Sequence, residues 1–144
     1  MQWTLAHIAP RSKNEYDSLV SVYLDRCTPV ARCDAQSFKS ESAFLESLDR
    51  IRSTFLVLAD LRGRSLTSEA FAAWLGARRD EGRSHILFAI GPADGWSDLA
   101  RARAQLLLSL GSFTLAHALA RLVLAEQLYR ATTILTGHPY HSGH

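Results

Sequence analysis

Three short apolar runs, each closed by a glycine-bearing loop, constrain this chain more than any other feature. They are Thr54-Phe55-Leu56-Val57-Leu58-Ala59, His85-Ile86-Leu87-Phe88-Ala89-Ile90 and Leu106-Leu107-Leu108-Ser109-Leu110. A run that is apolar at successive positions, rather than at alternate ones, predicts a strand covered on both faces, as in parallel sheets flanked by helices. Between the runs the period changes. Thr67 or Ser68 opens a helix as N-cap, the helix runs through Phe71, Trp74 and Leu75 to about Glu81, and Gly82 closes it. Ser97 and Asp98 cap a second helix that reaches Gln105, and a long helix over residues 116–136 stops at Gly137.

The N-terminal half carries the same alternation more faintly. Residues 3–9 alternate and predict a strand, and residues 14–27 place Leu19, Val20, Val22, Tyr23 and Leu24 on a helical face. Residues 30–38 predict a weak strand, and residues 42–52 a short helix with Phe44, Leu45, Leu48 and Ile51 at three- and four-residue spacings. Strands alternating with helices predict an α/β fold, a mostly parallel sheet flanked by helices. A chain of 144 residues, 47% hydrophobic and 21% charged, is the size and composition of one packed domain, residues 1–144.

In such sheets ligands bind at the carboxyl ends of the strands. The three runs end at Gly63, at Gly91 and Gly95, and at Gly111, where glycine lets backbone come close to a ligand. None of these loops has the GxGxxG or GxxxxGK[ST] spacing that cradles a triphosphate, so a nucleotide triphosphate is not indicated. No run reaches the roughly 18 apolar residues of a membrane span, and the first residues lack a basic segment followed by an apolar one, so a cytoplasmic protein is expected. Cys27 and Cys33 are read as reduced thiols without the spacing of a zinc site.

Net charge is +2, a weak pull on any polyanion, but of the 16 basic residues only Lys13 and Lys39 are lysine. Arginine suits phosphate forks and base stacking, although a GC-rich genome would write it too. On the last helix His117 and Arg121 are four apart and share a face. His117 reads either as a helix-start histidine bonded to backbone or as a residue that positions a base or accepts a proton. Arg121 reads as a phosphate ligand or as a cation that stabilises an anion. Glu126 and Arg130 are four apart in the favourable order for an intrahelical ion pair, with Arg130 alternatively facing a substrate or a partner subunit. His138, His141 and His144 invite a metal reading, but no acidic or cysteine ligand accompanies them and Pro139 breaks the helix that would align them, so no metal is expected.

One long segment is more specific. It reads Ser109-Leu110-Gly111-Ser112-Phe113-Thr114-Leu115-Ala116-His117, then Arg121, Glu126-Gln127-Leu128-Tyr129-Arg130-Ala131, and Gly137-His138-Pro139-Tyr140-His141. This resembles the RlmH family of SPOUT-class methyltransferases, in its serine-rich strand end, Thr-x-Pro-His, arginine, Glu-Gln-x-Tyr-Arg-Ala and closing Tyr-His. Asp60-Leu61-Arg62-Gly63 and Ile90-Gly91 are similar to that family's two other loops. The chain departs from the pattern at Ala59 (usually leucine), Pro92 (usually glycine), Gly111 (often serine) and Ala116 (usually proline).

The resemblance implies a SPOUT-type domain with a C-terminal trefoil knot, which the usual rule against threaded chains would never suggest. It implies a homodimer that uses S-adenosyl-L-methionine to methylate N3 of a pseudouridine in large-subunit (23S) ribosomal RNA. By resemblance the cofactor is gripped at Ala59, Gly91, Leu110, Gly111, Ser112, Phe113, Thr114 and Leu115. Catalysis falls to His117, Arg121, Tyr140 and His141, and Arg130 meets RNA. A chain of this size and charge has few contacts with which to select a nucleotide, so assembled ribosomes are the expected substrate. The alternatives are a related methyltransferase for another RNA and a ribosome- or RNA-binding homologue whose catalysis is impaired through Pro92 and Ala59.

Overall fold

Cover on both faces is what the apolar runs require, and the sheet supplies it. The structure, a computed structural model, describes residues 1–9, 14–50 and 54–142. Its strands are β1 (Gln2–Ile8), β2 (Arg32–Phe38), β3 (Thr54–Ser65), β4 (His85–Ile90) and β5 (Leu106–Ser109). Its helices are α1 (Asp17–Asp25), α2 (Glu41–Leu48), α3 (Ser68–Asp80), α4 (Asp98–Arg103) and α5 (His117–Thr136). The sheet order is β2-β1-β4-β3-β5 and every neighbouring pair is parallel.

Side-chain alternation sorts the strands into two cores. Leu5 lies opposite Phe88, Phe88 opposite Val57, and Val57 opposite Leu106, one row on one face. That row packs with Val20 and Leu24 of α1, Phe71 and Leu75 of α3, and Leu124 and Leu128 of α5. Ala6, Leu58 and Ala89 point the other way and meet Phe44 and Leu48 of α2, Trp96 in the loop after β4, and Ala100 of α4. Residues 3–6 are therefore all buried, which explains why β1 is apolar on both sides of its alternation. At the edge, β2 is half-exposed, and its weak signal in the sequence follows from that.

Caps fix three of the helix starts. Ser40, Thr67 and Ser97 accept hydrogen bonds from the backbone N–H of Ala43, Ala70 and Ala100 at 3.1, 3.0 and 3.1 Å. Ala116 stands at the start of α5 and has no side chain to do this, so the first-turn N–H groups of α5 are left for a ligand or solvent. Two expectations need correction. The short helix ends at Leu48 rather than Arg52, and Ile51 lies outside the described residues. β3 does not end at Ala59: residues 60–63 leave the sheet, and Arg64 and Ser65 return to pair with β5, so Leu108 faces both Ala59 and Arg64. Among the described residues no helix is long and apolar enough to cross a membrane.

Candidate active site

β3, β4 and β5 bring their carboxyl ends to one edge of the sheet, and a cavity of about 660 Å³ lies there. Residues 59–62, 90–96, 110–111 and 113–117 line it, with Arg101 and Ala120. Ala59, Gly91, Leu110, Gly111, Phe113, Thr114, Leu115 and His117 therefore meet around one space, while Ser112 is not part of its wall. A volume of this size lies within the range of small-molecule sites.

Trp96, which the sequence reading passed over, shapes the floor. Its buried indole donates from Nε1 to the Ala59 carbonyl at 3.0 Å and so ties the loop after β4 to the end of β3. A Cβ on residue 91 would stand 2.8 Å from the indole, so only glycine fits above it. Pro92 begins a turn through its carbonyl, which accepts from the Gly95 N–H at 2.8 Å, a bond that does not need the N–H that proline lacks. At the side of the cavity Arg101 donates to Asp60 at 2.6 Å, and the Arg62 N–H adds a bond at 2.8 Å. Burial pushes the Asp60 carboxyl up, but these donors outweigh it and hold it below the usual carboxylate range.

His117 faces the cavity from the first turn of α5. Behind it the chain assembles a polar group from three distant segments. His7, at the end of β1, lies with its ring centroid 5.7 Å from that of His117, the planes tilted by 55°. Arg121 is only 6% exposed, and its guanidinium donates to Asp17 of α1. Arg121 is thus turned inward rather than offered to a phosphate. Burial, the Arg121 charge and His117 lower the His7 imidazole to about 4, against the opposing pull of Asp17 and the Gln36 carbonyl. Burial and Arg121 also lower His117, although the Gly91 carbonyl opposes this. Asp17, bonded by Arg121, lies below its ordinary value. His7 Nδ1, His117 Nε2 and Arg121 Nε are buried with no hydrogen-bond partner among the described residues.

The remaining predicted residues gather elsewhere. Arg130 donates to Glu126 at 2.6 and 3.1 Å, the ion pair expected from their spacing. Arg130 also donates to His141 Nδ1 at 3.0 Å. Because arginine can only donate, His141 carries its proton on Nε2, which meets Glu69 at 2.7 Å. Tyr140 donates to Glu126 at 2.9 Å and lies under the Arg130 guanidinium, 4.9 Å from the ring centroid. Burial and Glu126 push the Tyr140 hydroxyl up to about 12. At a rise of about 1.5 Å per residue, this cluster is about 20 Å along α5 from His117. None of its members lines the cavity of its own chain. Among the described residues no three His, Cys, Asp or Glu side chains come together to hold a metal ion, and His144 lies outside them.

Residues 1–141 match the model of the family described as "Predicted SPOUT methyltransferase". The chain is similar to the Ribosomal RNA large subunit methyltransferase H of Koribacter versatilis, 43% identical over 146 residues and covering 100% of both chains. It is also similar to the protein of the same name from Brucella ovis, 48% identical over 116 residues, 74% of this chain and 69% of that one. Among solved structures it is similar in fold to the SpoU methyltransferase AviRb from Streptomyces viridochromogenes, described in complex with AdoMet. The TM-score there is 0.51 at 14% identity, over 94% of this chain and 60% of the length of that one.

Proposed function

Because this chain belongs to the SPOUT methyltransferase family, we propose that it methylates large-subunit ribosomal RNA from S-adenosylmethionine, at N3 of a pseudouridine, on assembled cytoplasmic ribosomes. One observation carries the reading. The three loops singled out in the sequence close on a single cavity, and the one imidazole of α5 that could serve as a base opens into it. The C-terminal trefoil knot expected of this class belongs to the same proposal.

The cavity fits the cofactor. Ala59, Ile90, Leu110 and Leu115 offer apolar walls, the glycine loops offer backbone close to the ligand, and the uncapped start of α5 offers N–H donors to a carboxylate. When bound, S-adenosylmethionine supplies an electrophilic methyl group. The protein's task is to hold the acceptor nitrogen in line and to receive its proton. His117 is held neutral because burial and Arg121 disfavour its charged form; its Nε2 is buried beside the cavity and takes a proton only once the bound nucleotide reaches it. Arg121, fastened to Asp17 behind His117, does not line the cavity; its fixed positive charge acts on the His117 ring and favours the neutral base.

The separate tail cluster supports a dimer. One chain holds His117 and the group of Arg130, Tyr140 and His141 about 20 Å apart, so a second copy is the economical way to bring such a group to one nucleotide. Phe113 and Leu61 at the rim of the cavity, and Leu19 and Val22 on α1, are exposed apolar side chains that a partner would cover. Light scattering should give about twice the 16.0 kDa chain mass. A monomer that still methylates RNA would remove the dimer from the mechanism.

The function is tested by transfer of labelled methyl to ribosomes, free subunits and deproteinised ribosomal RNA in parallel, with mass spectrometric mapping of the product. Methylation of a single large-subunit pseudouridine, fastest on ribosomes, is expected. Equal rates on naked RNA would show that the domain reads its site unaided. No transfer, together with no calorimetric heat from S-adenosylhomocysteine, would leave an RNA-binding homologue without catalysis.

A further inference from the structure

His7 plays no part in the resemblance or in the cavity wall, yet its environment is unusual for a structural side chain. The register of β1 against β4 sets His7 opposite Ile90, one residue before the Gly91 loop. Its ring lies against His117, and Nδ1 is buried with no partner among the described residues. The ring bonds the Gln36 carbonyl, but a leucine or valine would fill the same space without an orphaned polar atom, so that one bond does not account for the buried Nδ1. Three such orphaned atoms, on His7, His117 and Arg121, belong to neighbouring side chains beside the cavity.

We propose that His7 is a positioning residue for the methyl-transfer reaction, shielding the His117 ring from solvent on its β1 side and so keeping His117 Nε2 free as the proton acceptor. This rests on the function proposed above. The groups facing the two rings are few. His7 meets Arg121 and His117 from α5, Asp17 from α1 and the Gln36 carbonyl from β2. His117 meets Arg121 and the Gly91 carbonyl at the end of β4. With Arg121 beside both rings, a charged imidazole at either position is opposed by burial and by the guanidinium. His7 thus stays neutral throughout the working range and excludes water without adding repulsion.

The test is an imidazole NMR titration of the full chain, unaltered and as His7→Ala and His7→Gln, with the His117 resonances assigned by their loss in His117→Gln. In the unaltered protein His117 should titrate below about 6.5, the ordinary imidazole value, with the lone pair on Nε2. In His7→Ala the midpoint should climb toward about 6.5, and the acid limb of methyl transfer should move up with it. At pH 6 the rate should then stand about fourfold below its own plateau, since a group of pKa about 6.5 is one-quarter neutral there. His7→Gln, which refills the space with a neutral polar side chain, should restore most of both. A His117 midpoint and tautomer unmoved in folded His7→Ala, with transfer by the unaltered protein intact, would overturn the positioning role. A shifted midpoint in His7→Ala, with no transfer by the unaltered protein to any ribosomal RNA, would overturn the function and leave the coupling of the rings standing.

Discussion

Exchange of His117 for glutamine should lower methyl transfer by about 100-fold or more, the scale on which a positioned acid–base group contributes. Glutamine is close in size and can donate to the Gly91 carbonyl, but it has no lone pair that takes a proton near neutral pH. Binding of S-adenosylhomocysteine should change little, because the loops at residues 59–62, 90–96 and 110–115 are untouched. Single-turnover transfer and calorimetry on the same variant separate the two effects, and a rate within about threefold of the original would remove His117 from proton transfer. The pH dependence has a definite sign. A lowered imidazole pKa keeps the neutral base present as pH falls below about 6.5, and the base is lost only as pH passes through the folded value. The cost appears in stability. Between those two values the unfolded chain binds more protons at His7 and His117 than the folded one, so stability falls as the solution is acidified below about 6.5.

Placing alanine at Gly63 should destabilise the fold by about 3 kcal/mol, the upper end of what overpacking costs and about 100-fold in the folding equilibrium. The new Cβ would lie 2.5 Å from the Leu107 carbonyl carbon, 2.6 Å from its oxygen and 2.7 Å from the Leu108 nitrogen. These are backbone atoms of β5, paired to β3 on either side of the excursion at residues 60–63, so no rotamer change relieves the contact. Separation of the strands would also widen the gap between residues 59–62 and 110–117, and S-adenosylhomocysteine affinity should drop with stability. Denaturant titration checks the first effect through a lower midpoint at unchanged slope. A shift under about 0.5 kcal/mol, the range of an ordinary surface change, would show that β5 yields freely at this point.

What could be read from the sequence was what burial writes into it locally. The runs at residues 54–59, 85–90 and 106–110 are apolar at successive positions, apart from Thr54, His85 and Ser109, because helices cover both of their faces, and their glycine-bearing ends mark the rim of the cavity. The excursion of β3 was hidden because Asp60-Leu61-Arg62-Gly63 has the composition of a terminating turn, and only the partner strand reveals that Arg64 rejoins the sheet. Trp96 stands in a loop between two predicted elements and carries no motif of its own. Its sole signal is the pairing with Gly91, a glycine that exists to leave room for an indole. His7 and Asp17 could not be found by spacing, since their partners are 110 and 104 residues away. The same distance concealed that Arg121 is already engaged inside its own chain.

The strand order has a consequence for how the chain is made. β4 lies at the centre of the sheet, between β1 and β3, and Gln2 of β1 must wait for His85 before that pairing can begin. A growing chain that ends before residue 85 can join β1 only to β2, while β3 has no strand to pair with. One edge of β1 and both edges of β3 are then unpaired together, the condition that favours capture by other chains. β4, β5 and α5, from His85 to Thr136, are all still needed to close the sheet, so assembly of the core waits for them, and a central contact this distant in the chain is the kind that slows folding.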